Sequence, residues 1–194
     1  MLTTKDELLE LMQKKEDLCE ELLTYYRKAD NYSSFDTLRH PLVFSVPHSN
    51  QNNAMLNRQL EEKKKMKESL LIEKDYEGYV FLHEKPYRIN AFIEIKKHLI
   101  GKRYWELLSD IWVNSENIWQ NKKEWSELMR EKISGKKFFM SQEDRDTLLS
   151  LPDIVTCYRG YTPGKNINGM SFTLSKEKAE WFSKRFWNKD GKVL

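Results

Sequence analysis

The chain is poor in residues that cross-link or interrupt a fold, with two cysteines, five prolines and seven glycines among 194 residues. Neither Cys19 nor Cys157 belongs to a Cys-x-x-Cys pair, which argues against a disulfide framework and against a thiolate metal site. We therefore expect two reduced and buried thiols.

Long apolar runs and a secretion signal are also missing. No run approaches the roughly 18 apolar residues that a membrane-spanning helix needs. Residues 1–7 lack the basic-then-apolar order of a signal peptide. Together with the reduced thiols, these absences predict a cytoplasmic protein that does not span a membrane.

Two common kinds of site lack their sequence signatures. Residues 160–169 contain no Gly-x-x-x-x-Gly-Lys-Ser/Thr, which argues against the phosphate-binding loop of nucleoside triphosphatases. The histidines lack the spacing of metal ligands and no cysteine joins them, so we expect no metal site. They are His40, His48, His83 and His98.

The charge balance gives little support to a nucleic-acid partner. Because 33 basic residues face 30 acidic ones, the formal net charge is only +3. The triplet Lys63-Lys64-Lys65 lies in a predicted helix, and such a run is usually a solvated face. Nucleic-acid contact through residues 63–67 stays open as a weaker alternative, and would depend steeply on salt.

Aromatic residues and helical periodicity indicate a folded, mainly helical chain. Six Trp, nine Tyr and nine Phe exclude disorder. Apolar spacing predicts helices over residues 4–29 and 54–73, and several shorter ones over 87–133 with breaks at Gly101 and residues 114–117. Trp105, Trp112 and Trp119 recur every seven residues, which is typical of packing and not of a base-stacking surface.

The remaining segments predict loops, short strands and two further helices. Residues 30–53 hold Pro41 and Pro47 and predict a loop with a short strand near residues 42–46. Ser141 with Asp144 predicts the start of a helix at residues 142–150. Strands are expected at residues 153–158 and 170–174, followed by a helix from Ser175 to about Phe186.

These elements predict an α+β fold. The N-terminal two-thirds is mainly helical and a small sheet follows. We expect an N-terminal helical extension at residues 1–75, and a second region at residues 76–194 that combines helices with the small sheet.

Polar groups with a recognisable chemistry lie on the two predicted C-terminal strands. Arg159 in Tyr158-Arg159-Gly160 offers a planar fork of donors that suits phosphate. Ser171 in Ser171-Phe172-Thr173 offers a small hydroxyl that can orient a sugar or an amide. On neighbouring strands these residues predict a floor for binding a dinucleotide.

The same motifs resemble a known family. Residues 152–186 are similar to the N-terminal half of the ADP-ribosyltransferase fold, in the Arg–Ser–Glu class of bacterial toxins and phage-encoded relatives. Tyr158-Arg159-Gly160 matches the Tyr-Arg-Gly that ends a strand in that class. Ser171-Phe172-Thr173 stands where the class has Ser-Thr-Ser or a similar triad, and Ala179-Glu180-Trp181-Phe182 matches the Ala-x-x-Phe of the next helix.

The resemblance implies NAD as a substrate. It implies that Arg159 binds the NAD phosphates and nicotinamide ribose, and that the Gly160 backbone binds the carboxamide. Ser171 would hold the catalytic carboxylate in place and Thr173 would support the strand. The implied catalytic residues are Arg159 and Ser171, and the implied NAD-binding residues are Tyr158, Arg159, Gly160, Ser171, Phe172 and Thr173.

The chain departs from the family at the catalytic carboxylate. The family places a Glu on a later strand, whereas Asp190 is the one acidic residue after Phe186. We expect either a truncated or split enzyme or a partial scaffold kept for binding. The first implies a phage-encoded transferase that modifies a host protein once the carboxylate is completed. The alternative is a non-catalytic binding or inhibitor protein that engages a host macromolecule through helices at residues 4–133.

Overall fold

The chain is divided into two compact units, Met1–Lys97 and His98–Leu194. The computed structural model describes residues 14–31, 33–115, 118–164, 166–185 and 190–194. These residues form helices and two small antiparallel sheets, so the expectation of a mainly helical α+β fold is confirmed.

The N-terminal unit combines one three-stranded sheet with helices. The strands pair antiparallel in the order β1-β2-β3, with Tyr26 opposite Leu38 and Leu38 opposite Ser45. In chain order the elements are α1 (Glu20–Leu23), β1 (Tyr26–Arg27), β2 (Thr37–Arg39), β3 (Phe44–Ser45), α2 (Asn53–Ile72), α3 (Tyr76–Leu82) and α4 (Arg88–Ile95).

The long helix expected at residues 4–29 is wrong over its described part. Residues 14–19 are not helical, α1 is a single turn, and the chain then enters β1. The pairing of β1 with β2 joins residues about ten positions apart, and such a tertiary contact overrides local helical propensity. Residues 4–13 lie outside the described residues.

The strand expected near residues 42–46 is confirmed as β3, whereas β2 was not predicted. Three residues are too few to show a strand period. The sheet nevertheless contributes to the core of this unit, because Leu38 of β2 and Val43, which directly precedes β3, are fully buried. The buried core cluster comprises Leu18, Leu22, Leu38, Leu42, Val43, Leu56 and Leu60.

The helix expected at residues 54–73 is confirmed as α2, and two of its lysines have partners within their own unit, whereas Lys65 is exposed as expected. Lys63 Nζ donates to the Leu42 carbonyl at 2.6 Å and to Glu84 Oε1 at 3.2 Å. Lys64 Nζ donates to the carboxylate of Glu21. These two lysines therefore tie α2 to the rest of its unit, which weakens the nucleic-acid alternative.

The boundary between units also differs from the expected one after residue 75. The turn between α2 and α3 passes through Lys74 at φ 58°, and the Asp75 side chain caps α3 by accepting from the Gly78 N–H at 2.9 Å. A Cβ at Gly78 would lie 2.9 Å from Leu70 of α2, so the two helices approach closely. Residues on both sides of position 75 thus belong to one unit.

The C-terminal unit contains the aromatic helices that the sequence predicts. Its elements are α5 (Gly101–Asn114), α6 (Lys122–Met129), α7 (Gln142–Ser150), β4 (Gly160–Tyr161), α8 (Lys176–Lys184) and β5 (Lys192–Val193). Ser141 and Asp144 form the expected capping box at α7. Ser175 Oγ accepts from the Lys178 N–H at 3.1 Å and so caps α8 as predicted.

Tryptophan packing organises α5 and α6. Trp105 and Trp125 are fully buried, and the rings of Trp112 and Trp125 meet edge to face at 4.9 Å. Trp105 Nε1 donates to the carbonyls of Ile133 and Ser134, both at 3.1 Å. The predicted packing role holds for Trp105, whereas Trp119 is exposed.

Two expectations from composition concern membrane-spanning helices and buried thiols. Within the described ranges, every helix is too short or too polar to cross a membrane. Both cysteines are free, but Cys19 is half-buried and Cys157 is exposed, so the expectation of two buried thiols is wrong.

Buried histidines make the N-terminal unit sensitive to acid. His40 Nδ1 accepts from the Leu42 N–H at 3.0 Å, so its neutral form carries the proton on Nε2, which lies 3.2 Å from Glu21 Oε1. His83 Nδ1 lies 2.8 Å from the Tyr79 carbonyl and donates to it. Burial lowers the pKa of both His40 and His83.

We predict that the N-terminal unit loses stability as the pH falls below the ordinary histidine pKa of 6.5. The unfolded chain then binds more protons than the folded one, so the free energy of unfolding falls by at most about 1.4 kcal/mol per pH unit for each histidine. Chemical denaturation followed by circular dichroism at pH 8 and pH ~5.5 measures this. His83→Gln should reduce the pH dependence, and an unchanged dependence would contradict the account.

Candidate functional site

The two motif-bearing segments are paired, but not as the two strands that the sequence predicts. Tyr158 and Thr173 form an isolated antiparallel bridge, in which each N–H donates to the other carbonyl at 2.7 and 2.9 Å. Residues 153–157 and 170–172 are not in strands, so both strand predictions are wrong beyond this bridge. Ile154 is 90% exposed, because the β-branched run finds no sheet to join.

A strand from the end of the chain completes the arrangement. Arg159 exchanges both backbone hydrogen bonds with Leu194, at 3.1 and 2.9 Å, and β4 then pairs with β5. The segment carrying Arg159 therefore lies between Thr173 on one side and β5 on the other. Sequence reasoning missed β5, since Lys192-Val193 is too short to show a period.

The side chain of Arg159 is turned into the protein. It is 8% exposed, and its guanidinium donates to backbone carbonyls: Nη1 to Ser171 at 2.5 Å, Nη2 to Asn166 at 3.1 Å and Nε to Asn166 at 3.3 Å. Burial lowers the pKa of Arg159, although an arginine stays charged at neutral pH. The predicted pair of Arg159 and Ser171 does meet, through the Ser171 carbonyl.

Residues 166–171, here called the strap, form the seat of this guanidinium. The Asn166 carbonyl also accepts from the Gly169 N–H at 3.0 Å, which closes a turn. Asn166 Oδ1 accepts from the Thr162 N–H at 2.8 Å. A Cβ at Gly169 would lie 1.7 Å from Arg159 Nη2, so only glycine leaves room for the guanidinium there.

Gly160 is required for packing, and its backbone N–H and C=O make no strand hydrogen bond within the described residues. A Cβ on it would lie 2.2 Å from the Ala179 carbonyl oxygen and 2.5 Å from the Ser183 nitrogen, so β4 rests directly on the backbone of α8. The backbone N–H and C=O of Arg159 point towards Leu194. Because these directions alternate along an antiparallel strand, the N–H and C=O of Gly160 point to the opposite side, towards the strap. The Tyr158–Thr173 bridge is isolated and does not extend to Gly160.

The remaining predicted residues lie on the two segments that the Tyr158–Thr173 bridge joins. Phe172 is 56% exposed, and the Arg159 guanidinium lies 5.9 Å from its ring centroid. Thr173 Oγ1 accepts from the Ser175 N–H at 3.2 Å, which supports the turn into α8. Ser171 is exposed and Tyr158 is half-buried.

Among the described residues, no carboxylate bonds to Arg159 or Ser171. Glu177 Oε2 accepts from Ser175 Oγ at 2.8 Å at the start of α8, and Asp190 is exposed. Within the described ranges, the hydrogen bonds and ion pairs of Arg159 and Ser171 involve no acidic side chain.

One basic residue reaches the strap from a distant part of the sequence. Lys122, in the first turn of α6, donates from Nζ to the Asn168 carbonyl at 2.7 Å and lies 5.3 Å from the Trp119 ring centroid. The sequence could not indicate this contact, because the partners are 46 residues apart and neither lies in a motif.

A surface pocket in the N-terminal unit is separate from these residues. It has a volume of about 590 Å³ and is lined by residues 14–17 with Asn50, Gln51 and Asn53. Its charged residues are two lysines followed by two carboxylates, without a nucleophile beside a base, so no reaction class follows from its lining.

Comparison with known proteins adds nothing to this geometry. No protein-family model, no curated protein and no solved structure matches the chain. The likeness of residues 152–186 to ADP-ribosyltransferases thus stays a prediction from short motifs.

We predict that Gly160→Ala destabilises the C-terminal unit by about 1–3 kcal/mol, because a methyl group cannot fit against the α8 backbone. All six tryptophans lie after residue 97, so tryptophan fluorescence during urea unfolding reports on this unit. Gly164→Asn is the control, since Gly164 has φ 73°, which asparagine tolerates, and open space around it. Equal unfolding midpoints for Gly160→Ala and the unmutated protein would contradict the close packing.

Proposed function

We propose that the C-terminal unit binds NAD at Arg159 and Gly160 and is an ADP-ribosyltransferase-like protein. In this proposal Arg159 binds the pyrophosphate and the Gly160 backbone binds the nicotinamide carboxamide. Transfer of ADP-ribose to a side chain of a host protein then requires a carboxylate that the contacts around Arg159 do not supply.

The observation that carries the proposal is the orientation of the Gly160 backbone. Antiparallel alternation turns its N–H and C=O towards the strap side of the ribbon, and the strand pairing of the described residues does not use them. A primary amide can accept from the N–H and donate to the C=O, as a further strand would. A bidentate guanidinium beside this amide site suits a molecule that carries both a carboxamide and a pyrophosphate.

The exposed ring of Phe172 supports the same proposal. It lies beside the guanidinium, where a planar nicotinamide or adenine ring can stack on an aromatic face. Ser171, exposed at the same edge, offers a hydroxyl for a ribose or for an incoming carboxylate.

The chemistry sets what a complete site needs. The C1′–N bond breaks with its electron pair leaving on nicotinamide, and the acceptor side chain forms the new bond to C1′. The acceptor proton passes to a carboxylate, which also stabilises the oxocarbenium-like charge on the ribose. Arg159 and Gly160 account for anchoring and for holding the leaving group, and the carboxylate stays the missing part.

A second candidate is a non-catalytic binding protein. It is favoured by the burial of Arg159 among carbonyls, which a purely structural arginine would also show. Exposed apolar side chains on the same unit offer a surface for a macromolecule, with Leu149 83% and Trp181 59% exposed. These side chains lie on α7 and α8, outside the helices at residues 4–133 that the sequence analysis proposed as the binding surface.

We predict that the protein binds NAD and that Arg159→Ala abolishes binding, because both the charge and the fork of donors are lost. Isothermal titration calorimetry with NAD measures this. Arg145→Ala is the matched control, since Arg145 belongs to the same unit and also donates to backbone carbonyls, at 2.9 Å to Lys137 and 2.6 Å to Met140. Circular dichroism checks that both variants are folded at the temperature of the titration.

Three outcomes separate the two candidates. Binding lost in Arg159→Ala but kept in Arg145→Ala supports the NAD proposal. Binding that survives Arg159→Ala would refute the assigned site. No heat of binding in the unmutated protein or in the Lys122→Met variant described below favours the non-catalytic candidate.

A further inference from the structure

We propose that the strap is an autoinhibitory element that occupies the Arg159 guanidinium in place of a pyrophosphate and is latched by Lys122. The inference rests on the proposed NAD site and concerns how that site is regulated. It assigns Lys122 as a positioning residue, which acts on nucleotide binding through the strap and not through contact with the nucleotide.

The strap carbonyls occupy the Arg159 donors that a pyrophosphate would need. Nε and Nη2 of Arg159 both donate to the Asn166 carbonyl. These two donors form the edge of the guanidinium that usually binds an oxyanion with two parallel bonds. Nη1 bonds to the Ser171 carbonyl, so the two ends of the strap engage the guanidinium from both sides. Two carbonyls therefore stand where two phosphate oxygens would bind.

Lys122 fixes the middle of the strap from a rigid support. Its Nζ bonds to the Asn168 carbonyl between the two Arg159 contacts. The helix that carries Lys122 is anchored by Trp125 and Leu128, both buried. A long side chain on a helix with a buried face thus restrains a turn that is otherwise held by Arg159, by Thr162 and by its own hydrogen bonds.

The strap is suited to displacement because its bonds to Arg159 end on neutral oxygens. Bonds from a guanidinium to an oxyanion are stronger than bonds to a neutral carbonyl. Asn168 and Ser171 are exposed, so their carbonyls can bond to water once released. NAD binding then competes with the closed strap. The apparent association constant is the intrinsic one multiplied by the fraction of molecules in which the strap is open.

The test removes the latch without touching Arg159. Lys122→Met keeps an unbranched, flexible side chain but removes the donor and the charge, and Lys123→Met is the matched control because Lys123 is an exposed neighbour with the same charge. We expect Lys122→Met to bind NAD about fivefold more tightly in calorimetry, while Lys123→Met stays close to the unmutated protein. Hydrogen exchange of the amides at residues 166–171 should be faster in Lys122→Met alone.

Each outcome decides one claim. Faster amide exchange at residues 166–171 together with tighter NAD binding in Lys122→Met supports the autoinhibitory role of the strap. Faster exchange with unchanged or weaker NAD binding overturns it but leaves the NAD site standing, and weaker binding would indicate that Lys122 contacts the nucleotide directly. Unchanged amide exchange in Lys122→Met would refute the claim that Lys122 restrains the strap. No NAD binding in any variant despite faster exchange overturns both the strap and the NAD site.

Discussion

The guanidinium of Arg159 is the interaction on which the architecture of the C-terminal end depends. Its bonds to the Asn166 and Ser171 carbonyls hold the strap to a ribbon in which Arg159 itself pairs with Leu194. A buried charge is costly unless its donors are satisfied, and here carbonyl dipoles supply that compensation. In the proposed NAD site the same bonds would occupy the guanidinium, so one side chain would couple local stability to nucleotide binding.

Close approach of backbones is the second constraint on this region. Gly160 and Gly191 both lie against the backbone of α8, where a Cβ would come within 2.2 Å of the Ala179 oxygen and 1.8 Å of the Ser183 oxygen. A two-stranded ribbon has little side-chain surface of its own, so contact at this distance is how it stays attached to the helix. Glycine at position 160 therefore serves packing, and the free polar groups of its backbone follow from that placement.

Elements with a local signal could be predicted from the sequence, and elements made by distant pairing could not. The Ser141–Asp144 capping box and the Ser175 cap locate α7 and α8 because the partners lie three residues apart. Strands β1, β2 and β5 have two or three residues each and exist through their partners, which no periodicity reveals. At the site, the order of Tyr158, Arg159 and Gly160 indicated a phosphate-binding fork, but the seat formed by the strap and the contact of Lys122 depend on tertiary structure alone.

The most direct test of the central claim is the NMR spectrum of the Arg159 guanidinium, assigned by the signals that disappear in Arg159→Lys. Hydrogen bonds to fixed carbonyls slow rotation about the guanidinium bonds and slow exchange with water. The account predicts separate, slowly exchanging Nη–H signals for Arg159 in the absence of nucleotide. A single averaged signal in rapid exchange with water, as for an exposed arginine, would contradict it.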